Sequence, residues 1–406
     1  IQLMGKSFNL RLNEYREIFP AGKLPSGKPA RVNIKSLENS FRWFFENYDF
    51  SWNEIMNATK MYVNEYRDKE YMYMKTSQYF IAKEGKNKAW DGQYQSFNEA
   101  LRYMLDRQSG KEKSIYTPWS KFNDAVTDGL EWNTLTVIGG RPGSGKTLIK
   151  DQIVRESYVS LAKDLKLDED KFRVLEFQFE MVGRTSALRE FSSITGKTYK
   201  ELCSAGSVLS QRDFDKCHAY AKDRIKSPVD IISTPMTVNQ MREQVDMYMN
   251  EHKGQKTIIT LDHSILVKRA PYQNNRLDML FELGEFFTQV KREYPCMFIC
   301  LSQLNRNIDN PDRAVNGKYG NYVLESDIFG SDAMLQHADT LIGINRPAKQ
   351  KIRFYGPDRY IIQDDKTLVL HFLKARNGDT RMSFFKAQFE RMQIAEMETP
   401  PQEQRR

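Results

Sequence analysis

Gly140-Arg141-Pro142-Gly143-Ser144-Gly145-Lys146-Thr147 constrains this chain more than any other stretch. It reads Gly-x-x-x-x-Gly-Lys-Thr, and it stands between a strand and a helix. Ahead of it, Leu135-Thr136-Val137-Ile138-Gly139 is a short apolar, β-branched run, the pattern of a buried strand. Behind it, Lys146 to about Leu165 has helical spacing, with Leu148, Ile149, Ile153, Val154, Val159, Leu161 and Leu165 as candidate core positions. Strand, glycine loop and helix in that order make a phosphate-binding loop. Glycines let successive backbone N–H groups turn inward around phosphate oxygens, where a Cβ would interfere. The helix N-terminus adds partial positive charge. Gly140 through Thr147, and Leu148 after it, are expected to hold the phosphates. Lys146 reaches toward the β- and γ-phosphates, and the Thr147 hydroxyl ligates Mg²⁺.

The 406 residues, 40% of them hydrophobic, have the length for two or three domains and a full core. From Ser114 onward strands and helices alternate. Candidate strands are Thr134–Gly139, Arg173–Phe179, Val229–Ser233, Thr257–Leu261, Met297–Ser302, Thr340–Ile344, Thr367–Lys374 and Met382–Gln388. Thr237-x-x-Gln240 caps a helix running to about His252. Such alternation implies an α/β fold with a mostly parallel sheet and helices on both faces. The last two strands read as antiparallel additions at one edge. Residues 114–394 form this domain; 395–406, with Pro400-Pro401 and a polar end, read as a disordered tail.

Residues 1–95 differ in composition. Aromatics are dense, as in Phe41-Arg42-Trp43-Phe44-Phe45 and Tyr71-Met72-Tyr73-Met74, and basic residues outnumber acidic ones. This region is either a charged surface on which bases stack or, more plainly, a small, mainly helical domain with an aromatic core. Ser40–Glu46 and Trp52–Arg67 have helical spacing; Pro20–Pro29 reads as a loop. Ser96-Phe97-Asn98-Glu99 has the form of a capping box. The helix it starts runs to about Arg107 and stops at Ser109-Gly110, before a polar hinge at Lys111-Glu112-Lys113, so 96–113 reads as a linker helix.

Composition also excludes some classes. No apolar run approaches the ~18 residues of a membrane span, and Ile1 to Phe19 is unlike a signal peptide. Cys203, Cys217, Cys296 and Cys300 are too few for a disulfide scaffold. Without Cys-x-x-Cys or paired His they give no metal site, and a reducing cytoplasm fits. The net charge of +8 permits an anionic partner such as nucleic acid.

Several strand ends carry chemistry. Thr257-Ile258-Ile259-Thr260-Leu261-Asp262 is an apolar strand closed by an acid, placed to hold Mg²⁺. Glu180 closes the second strand, beside the phosphate loop. It could orient and deprotonate an attacking water. Gln303 closes a further strand and would project toward the γ-phosphate, donating one bond and accepting another. Lys374 and Arg376 share one face of a late strand. On spacing alone they read as an exposed basic pair, which could reach a neighbour's triphosphate.

As a set, Arg141 to Thr147, Glu180-Met181, Leu261-Asp262, Leu301-Ser302-Gln303-Leu304-Asn305-Arg306, Gln336-His337-Ala338-Asp339 and Lys374-Ala375-Arg376-Asn377-Gly378 resemble the DnaB-type replicative helicases over about residues 114–390. The resemblance implies a RecA-like ATPase domain that forms a hexameric ring around single-stranded DNA, fuelled by ATP with Mg²⁺. It implies Glu180 as catalytic base, Gln303 as γ-phosphate sensor, and Lys374 and Arg376 as fingers acting on the neighbour's nucleotide. It further implies a linker helix that docks each subunit on the next, primase or loader proteins as partners, and the cytoplasm of a bacterium or a phage-infected host. Lys268, Arg269, Arg313 and Lys318, in loops after the Mg²⁺ and sensor strands, are candidate DNA phosphate contacts. The alternative function is a nucleotide-dependent, recombinase-like protein that binds or loads on single strands without unwinding.

Three departures from the family pattern matter. Asp262-His263 stands where Asp-Tyr is usual. Ser326-Asp327-Ile328-Phe329-Gly330-Ser331-Asp332 replaces Ser-Asp-Leu-Arg-Glu-Ser-Gly, so Phe329 takes the place of a basic DNA contact and either stacks on a base or packs beneath its loop. The N-terminal region does not resemble the family's helical collar, a divergence that would suit a phage or mobile-element relative.

Overall fold

The computed structural model describes residues 6–47, 50–72, 74–81, 93–164, 172–310, 313 and 322–403. Two units divide between Asp106 and Arg107. In the first, α1 (Lys6–Glu17), α2 (Ile34–Asn47), α3 (Trp52–Arg67) and the short α4 (Ser77–Ile81) enclose a core that includes Leu12, Tyr15, Phe19, Phe41 and Val63. Tyr15 meets Phe41 edge-on with centroids 4.9 Å apart, and its hydroxyl donates to the Ser77 carbonyl at 2.7 Å. A large ring can be buried there because its polar tip is satisfied. Ser51 and Glu54 close a capping box at the start of α3. The aromatics of this region thus mostly build a core, although Trp43, Phe45 and Phe50 stay exposed.

The next helix, α5, spans Gln93–Gln108. It begins ahead of Ser96, so the Ser96–Glu99 pattern lies inside the helix and does not start it. Its end is as the sequence suggests: Gly110 takes φ +72° and donates to the Arg107 carbonyl at 3.1 Å. Lys113 is followed by chain that already belongs to the second unit, and Glu112 pairs with Lys256 there.

The second unit is built on a nine-stranded sheet. Its strands are β1 (Leu135–Gly140), β2 (Phe172–Gln178), β3 (Val229–Ile232), β4 (Lys256–Asp262), β5 (Cys296–Gln303), β6 (Thr340–Asn345), β9 (Thr367–Ala375), β10 (Met382–Gln388) and β11 (Gln393–Glu396). The order is β11-β10-β9-β6-β1-β5-β4-β2-β3. The hairpin β7 (Phe354–Tyr355) and β8 (Tyr360–Ile361) stands apart. Pairing is parallel from β6 through β3 and antiparallel from β6 to β11. β1 and β6 are buried along their whole length, as strands covered on both faces must be. On one face α11 (Val238–Glu251) and α12 (Arg276–Glu293) cover Leu175, Phe177, Ile259 and Phe298. On the other, α6 (Ser120–Ala125) and α7 (Lys146–Asp164) cover Val174, Ile258, Ile299 and Ile342. Within α7, Leu148, Ile149, Ile153 and Val154 are buried as their spacing suggests; the side chains of Val159 and Leu161, and all of Leu165, lie outside the described residues.

One expectation fails here. Residues 395–403 are not a disordered tail: Phe385 to Gln388 pair with Gln393 to Glu396, and Ile361 donates to the Gln402 carbonyl at 2.8 Å. Alternating Ile394 and a half-buried Glu396 are enough for an edge strand despite the polar sequence after them. Glu396 also accepts from the backbone of Lys121 and Phe122, which ties this edge to α6. As expected, β9 and β10 are antiparallel additions at one edge, with β11 outside them. Among the described residues no helix is long and apolar enough to cross a membrane. Cys217, Cys296 and Cys300 are buried, and only Cys203 is exposed.

Candidate nucleotide and catalytic site

Parallel pairing brings the carboxyl ends of β1, β2, β4 and β5 together. Gly140 lies opposite Gln303, and Gln178 opposite Asp262. The loop after β1 therefore opens where Asp262, Glu180 and Gln303 converge, at the end of the sheet that holds ligands in open α/β folds. The loop depends on its glycines. Gly145 has φ +99°, and a Cβ there would lie 2.9 Å from the Phe389 ring; a Cβ on Gly140 would collide with the Ser144 hydroxyl.

The Lys146 ammonium donates to the Gly140 carbonyl at 2.9 Å and to the Arg141 carbonyl at 3.4 Å. Burial lowers its pKa from the ordinary lysine value, while the Asp262 and Glu180 charges pull it back up. The Thr147 hydroxyl donates to Asp262 Oδ2 at 2.9 Å. Asp262 Oδ1 is buried and has no hydrogen-bond partner among the described residues. An unsatisfied buried carboxylate oxygen beside a hydroxyl is a hard-oxygen donor set that suits Mg²⁺. Leu148, expected to contribute to the loop, has a buried side chain.

Glu180 lies one residue beyond Phe179, whose N–H donates to the Asp262 carbonyl at 2.9 Å. Its carboxylate is half exposed and stands 4.0 Å from His263 Nε2; the Gln303 amide nitrogen is 3.4 Å from the same nitrogen. His263 therefore sits between the expected base and the expected sensor. Burial lowers its pKa despite the attraction of Glu180 and Asp262. The sequence signal for it is its replacement of the usual Tyr. Gln303 also reaches the next loop through its backbone, because its carbonyl accepts the Phe329 N–H at 2.8 Å.

Three residues beside the loop escape the sequence reading. Arg346 and Lys349 donate to the Gly143 and Pro142 carbonyls at 3.2 and 3.4 Å. The Arg346 guanidinium lies 3.6 Å from the centroid of the Phe389 ring. The one available signal is Arg346-Pro347, directly after the carboxyl end of a strand. Arg141 is held outward by Asp309 at 2.8 Å.

Arg376 and Lys374 are elsewhere. Ala375 pairs with Thr340, and Thr136 pairs with Thr340 from the other side, so both cations sit at the amino end of β1 and β6. Four residues of strand, roughly 13 Å, separate that level from Gly140. Lys374 Nζ donates to the Leu335 carbonyl at 2.6 Å and is partly buried. Arg376 pairs with Asp339 at 2.8 Å and stays largely exposed. Neither is simply a free surface charge.

The expected DNA contacts fare unevenly. Lys268 and Arg269 are exposed in the loop after β4, Arg269 donating to the Asn274 carbonyl at 3.0 Å. Arg313 is committed instead: its guanidinium forks onto Asp327 and donates to the Tyr322 carbonyl. An apolar, tightly turned loop around a buried Asp327 needs that cation for itself. Phe329 packs partly buried against the core, beneath its loop. Lys318 lies outside the described residues.

Residues 115–394 match the family model for the DnaB-like helicase C-terminal domain. Among curated proteins, a probable replicative DNA helicase of Trieres chinensis is 26% identical over 63% of this chain and 51% of its own length. The replicative DNA helicase DnaB of Pasteurella multocida (strain Pm70) is 26% identical over 55% of this chain and 44% of its own. The chain thus spans about half the length of the curated relatives it matches. Two solved structures share its fold. One is an ATPase domain that aligns with a TM-score of 0.62 at 17% identity, covering 76% of this chain and 100% of that one. The other is a DnaB-like replicative helicase, studied for its interactions with primase, that aligns with a TM-score of 0.61 at 15% identity, covering 90% of this chain and 76% of that one. The chain belongs to the DnaB-like helicase C-terminal domain family.

Proposed function

We propose that this chain is the motor subunit of a replicative DNA helicase, hydrolysing ATP between the subunits of a ring, most simply a hexamer, that encircles single-stranded DNA. One observation carries this reading: the groups that can hold and attack a triphosphate lie at one end of the sheet, and the exposed Arg376 lies at the other. A subunit so built has half a site at each end, and an assembly of copies joins the halves. On binding, Lys146 would exchange the Gly140 carbonyl for phosphate oxygens. Glu180 would orient and deprotonate the attacking water, with His263 keeping that carboxylate beside Gln303. Thr147 and Asp262 would hold Mg²⁺, which neutralises charge on the β- and γ-phosphates. Gln303 would read the γ-phosphate and pass its presence, through its carbonyl bond to Phe329, to the loop that faces DNA.

The apolar side chains of Phe97, Leu101 and Leu105 recur every four residues on α5 and are exposed. Such a stripe suits docking on a neighbouring subunit. The first unit would be the platform for primase or loader proteins, within the cytoplasm of a bacterial or phage-infected cell. A second reading, nucleotide-dependent binding or loading on single strands without unwinding, is favoured by the commitment of Arg313 to Asp327 and the packing of Phe329, which leave fewer groups to grip DNA. A forked-DNA unwinding assay run beside ATPase assays with and without single strands separates the two. Unwinding that vanishes in Lys146→Ala and in Glu180→Gln, with ATP still bound by Glu180→Gln, supports the motor. Strand-stimulated hydrolysis with no unwinding would select the second reading.

A further inference from the structure

Behind the phosphate-loop helix lies a cavity of about 530 Å³ that the proposed mechanism does not use. It is bounded by α7 and the β2–β3 edge on one side. On the other stand α8 (Gly183–Thr195) and, beyond the short α9 (Tyr199–Cys203), α10 (Gln211–Lys226). Its size falls within the roughly 300–1,000 Å³ of pockets that hold small organic ligands. Lys146, Thr147, Glu180 and Asp262 do not line it; Leu148 alone is shared with the loop.

Counting the buried Lys150, five cations and four carboxylates surround this cavity, a net charge of +1, and they are unevenly paired. Glu176 and Asp151 are occupied by the fully buried Lys150, at 2.6 and 2.8 Å. Glu190 is occupied by Arg224 at 3.2 Å and by the Tyr220 hydroxyl at 2.7 Å. Among the described residues three cations remain without a carboxylate. Arg189 and Lys226 have no hydrogen-bond or ion-pair partner among the described residues. Among the described residues Arg155 bonds only the neutral Ser193 hydroxyl and Gln152 amide oxygen, both at 2.8 Å. Against them stands one uncommitted carboxylate, Asp223. Guanidinium groups gathered from two helices around a concave space are suited to phosphate oxygens.

A second observation points to a ligand with hydrogen-bond donors. Gln178 is only 2% exposed and lines the cavity. Its amide nitrogen donates to the Ser186 hydroxyl at 3.1 Å, but its Oε1 is buried with no partner among the described residues. Buried acceptors are nearly always satisfied, so an orphaned one on a residue that lines a cavity leaves a place for a donor. The remaining wall is apolar, from Val154 and Met392, with the Tyr220 side chain beside them. Cations for phosphates, an acceptor for a base N–H and an apolar wall for a flat ring belong to one class of molecule.

We infer that this cavity is a second nucleotide site, binding a nucleoside phosphate without the phosphate loop. The network around it gives occupancy a route to the motor. Glu176 is on β2, the strand that leads to Glu180, and the same carboxylate joins Lys150 of α7 to Arg224 of α10.

Equilibrium dialysis of the full chain with radiolabelled ADP tests the inference. The wild-type chain is expected to bind two ADP per subunit. Lys146→Ala should lose the phosphate-loop site and keep the other, which persists in EDTA. Arg189→Glu should weaken the second site at least tenfold while basal ATP hydrolysis and the first site stay unchanged; Arg189→Lys should retain most of the affinity. Lys226→Glu, at an exposed position, should weaken it in the same direction and serves if Arg189→Glu fails to fold. Adenosine and pyrophosphate should each displace the second ADP. Saturation at one ADP per subunit, or a second site indifferent to both charge reversals, overturns the proposal; displacement by pyrophosphate but not adenosine overturns its nucleoside part.

Discussion

The Arg376 guanidinium lies 2.8 Å from the Asp339 carboxylate, and the Arg376 N–H donates to the Asp339 carbonyl at 2.9 Å. The same carboxylate accepts the Leu135 N–H at 2.8 Å and pairs with Lys291. Asp339 therefore fixes the arginine to the amino end of the central strands, facing away from its own Lys146. Two cations close to the loop in the same chain, Arg346 and Lys349, are occupied with loop carbonyls. The transition state of phosphoryl transfer needs charge at the far side of the γ-phosphate, and a planar, permanently charged group suits it.

Arg376→Ala is thus expected to bind ATP almost normally and to hydrolyse it about 10³–10⁵-fold more slowly. Mixed with Lys146→Ala it should regain activity, because some interfaces then pair an intact loop with an intact arginine. Steady-state ATPase of the mixture, with co-assembly verified by native mass spectrometry, checks this. A co-assembled mixture that stays inactive would reject hydrolysis across an interface.

Phe329→Ala should act on stability more than on DNA. The ring packs on the core beneath its loop, while the backbone is held by Gln303. Truncating a partly buried ring costs about 2 kcal/mol, less than the roughly 3–5 kcal/mol of a fully buried one. Urea unfolding should show that loss, with single-strand affinity changed less than twofold. A tenfold loss of affinity at unchanged stability would instead make the ring a stacking platform.

The parts of the site that are local in sequence are legible in it. Gly140 to Thr147 carries its own strand and helix, Asp262 and Gln303 each end an apolar strand, and Glu180 stands two residues beyond one, so placing the strands places the residues. What escapes depends on distant pairing. Arg313 looks like any loop cation until Asp327, fourteen residues on, is seen to claim it. Phe389 joins the site only because the antiparallel strands β9 and β10 return the chain over the phosphate loop. β11 stays hidden because a short edge strand needs few apolar residues when its partner supplies the hydrogen bonds.

His371 gives a pH dependence that is also invisible in sequence. It is buried in β9, its Nε2 is 2.7 Å from the Tyr355 hydroxyl, and burial pushes its pKa down to about 3. The unfolded chain protonates the same ring near 6.5. Between those values the unfolded state holds the proton and the folded state does not. Stability is therefore complete above about pH 6.5 and falls as the pH drops toward 3, by up to about 1.4 kcal/mol per unit from this residue. His263 and His337 are lowered by burial too, so the diagnostic is the variant. Urea midpoints measured between pH 7 and 4 should decline less steeply for His371→Gln than for the wild type; parallel slopes would show that His371 plays no part.

The Phe389 ring stands over Gly145, and the Arg346 guanidinium covers it at 3.6 Å. Its other contacts are to the core beneath the sheet. A flat cation on an aromatic face marks a surface on which a flat base can also lie, beside the loop that holds the phosphates. ATP would seat its adenine there, with Arg346 moving to cover or flank it. Stacking of one base on an aromatic ring contributes about 1–3 kcal/mol. Phe389→Ala should then raise the Kd for ATP by roughly 5- to 150-fold, which corresponds to that energy, and change kcat at saturation by less than about threefold. Inorganic tripolyphosphate separates the two roles the ring can have, since it engages the loop but offers no base. Its affinity should be the same in Phe389→Ala and in the wild-type chain. If tripolyphosphate and ATP weaken together, the ring only props the loop around Gly145, and the base must be held elsewhere.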